Sequence, residues 1–201
     1  MCGRARCTLS KGECIAYAER VTVARGDDDR VARPDRGELV VTSPEPGPAP
    51  LYNVTPGQCV PILVGDSDGK ITLQSAVWGL IPHAQKASKR DHFRMMNARS
   101  EELSAKPSFN TLISTKRCLV LTDGFYEWES KRVLGRQEKQ PWYLYFTDPN
   151  DDSRPAVMPM CGLYDVWRDP ETNEELTTCT ILTTSSSEEI RWLHDRMPVR
   201  V

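Results

Sequence analysis

CVPILVGDSDGKITLQSAVW, residues 59–78, places two apolar runs of strand length, 59–64 and 71–78, around a turn-forming centre, Gly65-Asp66-Ser67-Asp68-Gly69. Apolar and β-branched residues bounded by Gly and Asp read as strands, and a short polar link between two of them favours antiparallel neighbours. The same pattern recurs at 117–121, 142–146, 156–163 and 176–184, with Asp148-Pro149-Asn150 as a further turn. Helical stretches are fewer: 12–20 behind Ser10 as a cap, 100–103, and 187–193. There is no βαβ rhythm, internal repeat or glycine-rich phosphate loop. The pattern predicts an α+β fold, with a mainly antiparallel β-sheet or barrel core and peripheral helices.

At 201 residues the chain fits one domain, taken as 2–201, able to bury a core without disulfides or metals. Residues 25–50 are polar and rich in Pro and Gly and read as a loop insertion, because the segment before them is too short to fold alone. No apolar run is long enough to span a bilayer, and Arg4, Arg6 and Lys11 interrupt the start before a signal-peptide core develops. A soluble, non-secreted protein is expected, nuclear in a eukaryote and otherwise cytoplasmic. The formal charge of −2 argues against a wholesale polyanion binder. It leaves room for a local basic groove, since acidic residues gather in 27–29 and 148–152. Seven cysteines, at 2, 7, 14, 59, 118, 161 and 179, form no Cys-x-x-Cys pair, and three histidines complete no zinc pattern. No metal and no cofactor are expected; most thiols read as small buried hydrophobes in a reducing compartment.

The chain starts Met1-Cys2-Gly3-Arg4. Removal of Met1 before a small residue makes Cys2 terminal, with an α-amine (pKa roughly 7.7–8.0) beside a thiol (about 8.5), both partly deprotonated near neutrality. An aldehyde meeting this 1,2-aminothiol forms an imine and then a five-membered thiazolidine. An ordinary frayed terminus is the bland alternative.

Further candidates lie inside apolar or turn-rich segments. Asn97 and Arg99 sit two apart and project to one side of an extended chain. Glu127 stands between Tyr126 and Trp128, an apolar setting that raises a carboxyl pKa and suits proton transfer. His194 ends a helical stretch and is followed by Arg196. Each also has a plain structural reading: Asn97 as a turn former, Glu127 as a solvated strand end, His194 as a helix C-terminal residue, Trp78 as core. His83 and His92, in a Lys- and Ser-rich loop, read as exposed and idle.

Six motifs occur in order: MCGR at 1–4, YNVTPGQ at 52–58, WGLIP at 78–82, NARSE at 97–101, GFYEW at 124–128 and HDRMP at 194–198. Together they closely resemble the SRAP (SOS-response-associated peptidase) family over essentially the whole chain. The resemblance implies a single β-rich, barrel-like domain that crosslinks abasic sites in single-stranded DNA, including at junctions, through a thiazolidine on the terminal cysteine. By motif position Cys2 is the nucleophile, with Asn97, Glu127 and His194 completing the catalytic group. Arg4, Arg99 and Arg196 match phosphate-holding positions, and Trp78 is a candidate to stack on a base or block duplex continuation. Self-removal of Met1, an abasic-lyase side activity and a monomeric state are further expectations. The alternatives are a cysteine-dependent (auto)peptidase and a non-covalent reader of modified bases. The resemblance also implies domain sequence continuing past Val201.

Overall fold

The structure, a computed structural model, describes residues 3–24, 39–41, 50–86, 90–133, 135–148 and 151–201. Its centre is the strand pair of the opening stretch: β4 (Cys59–Gly65) and β5 (Ile71–Trp78) are antiparallel, from Cys59↔Val77 to Gly65↔Ile71. Asp66 closes the turn by accepting the backbone N–H groups of Asp68 and Lys70, each at 2.9 Å. β7 (Arg117–Thr122) pairs β4, β12 (Met158–Arg168) pairs β7, and β13 (Glu175–Ser185) pairs β12, all antiparallel. Parallel pairing of β13 with β5, Thr178↔Val77 and Cys179↔Trp78, closes this run of strands on itself. The result is the expected β-rich, barrel-like core with few helices.

A second sheet runs β3 (Leu51–Val54), β1 (Arg4–Cys7), β8 (Gly124–Val133), β9 (Arg136–Leu144). It lays Ala5, Cys7, Val54 and Phe125 on the core made by Val60, Ile62, Trp78, Val120, Met160 and Ile181. The other side of β4 and β5 carries Leu63, Ile71 and Leu73, covered by Cys14 and Ala18 of α1 (Lys11–Ala24). Strands apolar on both faces are what burial on both faces requires. Ser10 and Glu13 cap α1 reciprocally, with Glu13 N–H donating to Ser10 Oγ at 3.2 Å and Ser10 N–H to Glu13 Oε2 at 2.8 Å.

Several boundaries differ from the sequence reading. The stretch 25–50 lies largely outside the described residues, and its described part includes β2 (Leu39–Val41), parallel to β5. Residues 187–193 form successive turns, not a helix, with Ile190 and Leu193 donating to the Ser187 and Ile190 carbonyls. Residues 100–103 give a single 3-10 turn, Ser100–Glu102, and the short α2 (Pro107–Asn110) was not foreseen. The strand expected at 142–146 is β9, which starts earlier and ends at Leu144. β8 and β9 form a long ribbon whose outer half is exposed, so burial imposes no apolar alternation there. The remaining strands are β6 (Asn97–Arg99), β10 (Thr147–Asp148), β11 (Asp151–Pro155) and β14 (Arg196–Pro198).

Candidate active site

Glu127 lies mid-strand on β8, on the same face as the core residue Phe125 and directly opposite Trp142 of β9. Strand alternation therefore directs its carboxyl inward, and it is only 5% exposed. Burial raises its pKa, opposed by the positive field of His194. Burial thus makes the carboxyl hold its proton more firmly than an exposed glutamate does. That His194 acts on it places the two side chains in one electrostatic neighbourhood, although they come from distant parts of the chain.

Asn97 begins β6, which lies parallel to β13 in the register Ile181↔Asn97 and Thr183↔Arg99. The extended backbone puts Asn97 and Arg99 on one side of β6, with Ala98 buried on the other. Trp78 supports this segment from inside: its Nε1–H donates to the Met96 carbonyl at 2.9 Å, and the ring is 0% exposed. A base cannot reach a fully buried ring, so the stacking role expected for Trp78 is corrected to a core residue that fixes the backbone before Asn97. The next residue, Gly79, has φ +111°, and an added Cβ would lie 2.2 Å from the His92 carbonyl. Only glycine permits that approach.

His194 follows the turns at 187–193 and is held by its backbone, since Ser186 Oγ–H donates to its carbonyl. The Arg196 N–H donates to Nδ1 at 2.9 Å. A backbone N–H can only donate, so the neutral ring carries its proton on Nε2. Asp195 Oδ1 also lies 2.9 Å from Nδ1 and serves the protonated ring. Nδ1 is thus fixed by the backbone N–H of Arg196, which sets the orientation of the ring.

Arg196 is not the exposed phosphate ligand that its motif position implied. It is buried, donates from Nη2 to the Thr183 carbonyl at 2.6 Å and to Glu101 Oε2 at 3.0 Å, and pairs through Nη1 with Glu101 Oε1. The guanidinium ties β14 to β13 and to the 3-10 turn, and thereby sets the backbone that holds His194. Its hydrogen bonds bring the exposed Glu101 carboxyl down to a pKa of about 2. Arg99 is half exposed and, among the described residues, pairs with Glu102 at 3.2 Å. Arg4 lies on β1 directly opposite Tyr126 and donates to Asn53 Oδ1 at 3.0 Å. Arg4 and Arg99 are therefore the accessible cations of the expected set. Cys2, like Met1, lies outside the described residues.

Asp123, in no motif, ties the start of β8 to β1 and the residue after it: 2% exposed, it faces Arg6 Nε at 3.1 Å and accepts the Thr8 N–H at 3.2 Å. An acidic residue wedged between an apolar strand and Gly124 was the available signal. Gly124, at φ +150°, lets the chain turn from β7 into β8, where an added Cβ would lie 2.5 Å from the Leu144 carbonyl. His83 and His92 are not idle, for their Nδ1 atoms lie 2.8 Å from Asp165 Oδ2 and the Gly79 carbonyl respectively. Cys7, Cys14, Cys118 and Cys179 are buried, and burial pushes the Cys7 and Cys179 thiols up to about 12. They are protonated and unreactive at neutral pH. Among the described residues no three of His, Cys, Asp and Glu converge as metal ligands.

The sequence profile of the SOS response associated peptidase (SRAP) family matches residues 1–201. The chain is 30% identical over 222 residues to the abasic site processing protein HMCES of Xenopus tropicalis, covering 98% of this chain and 62% of that protein. It is 39% identical over 150 residues to the abasic site processing protein YoqW of Bacillus subtilis, covering 75% of this chain and 62% of the relative. The chain thus spans less than two thirds of the length of either relative. A crystal structure of a protein from Bacteroides thetaiotaomicron is similar with a TM-score of 0.66 and 26% identity, covering 100% of this chain and 77% of that one. Fold, motif order and profile agree, and the chain belongs to the SRAP family.

Proposed function

We propose that this chain processes abasic sites in single-stranded DNA by covalent capture, with Cys2 as the aminothiol after loss of Met1. The observation that carries this reading is the buried Glu127 carboxyl, with its raised pKa and His194 acting on it. It stands in a family whose members compared above are named for processing abasic sites. An abasic sugar exchanges between a closed hemiacetal and an open aldehyde. His194 gives a proton to the ring oxygen while the Glu127 carboxylate takes the proton of the C1′ hydroxyl, which opens the ring to the aldehyde. The Cys2 amine adds to C1′, one of its protons passing to the oxygen; Glu127 in its acid form protonates the departing hydroxyl, water leaves, and the Glu127 carboxylate takes the remaining N–H proton, giving an imine. The thiol then adds across the C=N bond: sulfur bonds to C1′, the thiol proton ends on nitrogen, and the thiazolidine closes. Asn97 orients the sugar or Cys2, and Arg4 and Arg99 hold phosphates, which positions the strand without reading sequence.

The test is an SDS-resistant adduct with abasic, but not undamaged, single-stranded DNA, with intact mass showing whether Met1 is absent. Cys2→Ala should abolish the stable adduct while leaving non-covalent binding. A heat-stable adduct at full yield in Cys2→Ala would overturn the proposal. Release of Met1 without any adduct would favour peptidase chemistry instead.

A further inference from the structure

Trp142 and Trp192 meet at the rim of the candidate site, and neither belongs to the six motifs. Their ring centroids are 5.2 Å apart with the planes at 86°, an edge-to-face pair. Trp142 stands opposite Glu127 across β8 and β9, so both side chains occupy one face of the ribbon. Trp192 lies two residues before His194. The pair therefore joins the strand of Glu127 to the turn segment that carries His194.

Both indole N–H groups are already engaged, Trp142 with Glu129 Oε2 at 3.0 Å and Trp192 with the Glu189 carbonyl at 2.9 Å. The rings nevertheless stay 41% and 57% exposed. An edge-to-face contact covers one face of one ring and leaves the other faces to further partners. Flat aromatic surface with its donors occupied suits a ligand recognised by its π-face rather than by hydrogen bonds.

Resting on the function proposed above, we propose that Trp142 and Trp192 form a stacking platform for the base flanking an abasic nucleotide in single-stranded DNA. An abasic nucleotide leaves its neighbour without a stacking partner, and an indole beside the reacting sugar replaces it. The surrounding charge favours the base over the phosphate. Lys131, 5.9 Å from the Trp142 ring centroid, is paired with Glu129 at 3.0 Å. Around Trp192 in sequence, Arg191 donates to the Ser186 carbonyl at 3.4 Å, and Glu188, Glu189 and Asp195 outnumber it, so the net local charge does not attract phosphate. Stacking of this kind accepts any base and is indifferent to salt, unlike a phosphate contact.

The test uses an oligonucleotide carrying a tetrahydrofuran abasic analogue, which has no aldehyde and cannot crosslink, with 2-aminopurine as the flanking base on either side. On the intact chain, Trp142→Ala and Trp192→Ala should each weaken binding by roughly 5- to 150-fold, the range for one stacked base, and by the same factor at low and high salt. The quenching of 2-aminopurine seen on binding the unaltered protein should be lost. Trp192→Phe should bind within about threefold of the original, while Trp192→Leu, apolar but without a π-face, should match Trp192→Ala. Alanine variants with unchanged affinity and quenching, or Trp192→Leu binding as well as tryptophan, would overturn the platform. Failure of the unaltered protein to bind the oligonucleotide at all would overturn the proposed function as well.

Discussion

Arg196→Met should lower the melting temperature and leave the salt dependence of DNA binding unchanged. The sequence motif placed Arg196 on phosphate, whereas the fold buries it against Thr183 and Glu101. Methionine retains an apolar stem and removes every donor. Thr183 is itself 0% exposed, so its carbonyl loses a hydrogen bond where water does not replace it. An orphaned buried acceptor costs about 1–3 kcal/mol. The exposed Glu101 carboxylate rehydrates and adds no comparable penalty. At about 2–4 °C per kcal/mol for a domain of this size, the midpoint should fall by roughly 2–12 °C. Because Glu101 has its pKa held at about 2, below its ordinary value, the stabilisation from its pairing is present above the unfolded carboxylate pKa and is lost as pH falls through about 2. The difference between the two proteins should therefore persist at mildly acidic pH. Thermal melts followed by circular dichroism, alongside binding of single-stranded DNA across a salt series, separate this from a phosphate role. Arg99→Ala is the contrast: its ion pair with Glu102 is at the surface, so stability should change by less than about 1 kcal/mol. Its salt slope should drop by about 0.7. An Arg196→Met protein that melts like the original but shows the reduced slope would refute the reasoning.

Glu127→Gln should abolish adduct formation and raise stability at neutral pH. With its folded pKa raised, Glu127 penalises folding increasingly as pH climbs from the ordinary carboxylate value of about 4.3 through the folded one. The gain over the original, read from urea midpoints, should vanish below that window, and a pH-independent gain would contradict it. Trp78→Ala should cost about 3–5 kcal/mol in urea unfolding; unchanged stability with lost DNA binding would return this ring to the DNA. An uncleaved extension before Cys2 makes its amine an amide without nucleophilicity. Thiazolidine yield should then fall to zero with binding retained, and an adduct at full yield with the extension attached would exclude an aminothiol mechanism.

Much of this was legible from local order alone. The unit at 59–78 could be read because β4 and β5 are buried on both faces and their turn is closed by its own Asp66. Ser10 was legible as a cap because its partner Glu13 lies three residues on. Glu127 could be picked out because aromatic neighbours in a strand foretell burial. The ribbon of β8 and β9 was not legible beyond Trp128, since its exposed residues carry no apolar alternation. Residues 187–193 looked helical because Glu188, Glu189 and Ile190 suit a helix, and helix propensity is weak enough for tertiary context to override.

The sequence by itself determined the fold class and the family, because those depend on residue type, short-range order and motifs within a few positions of one another. The tertiary structure alone decided which groups are accessible. β13, flanked by β6 and β14, carries Thr183, which with Glu101 receives Arg196 and turns an expected phosphate ligand into a buried clasp. The closed strands bury Trp78 and make a candidate base platform a core residue, while Trp142 and Trp192, in no motif, meet at the rim. Burial and partner choice depend on segments far apart in sequence, and a side chain's chemistry does not reveal which distant carboxylate or ring will reach it first.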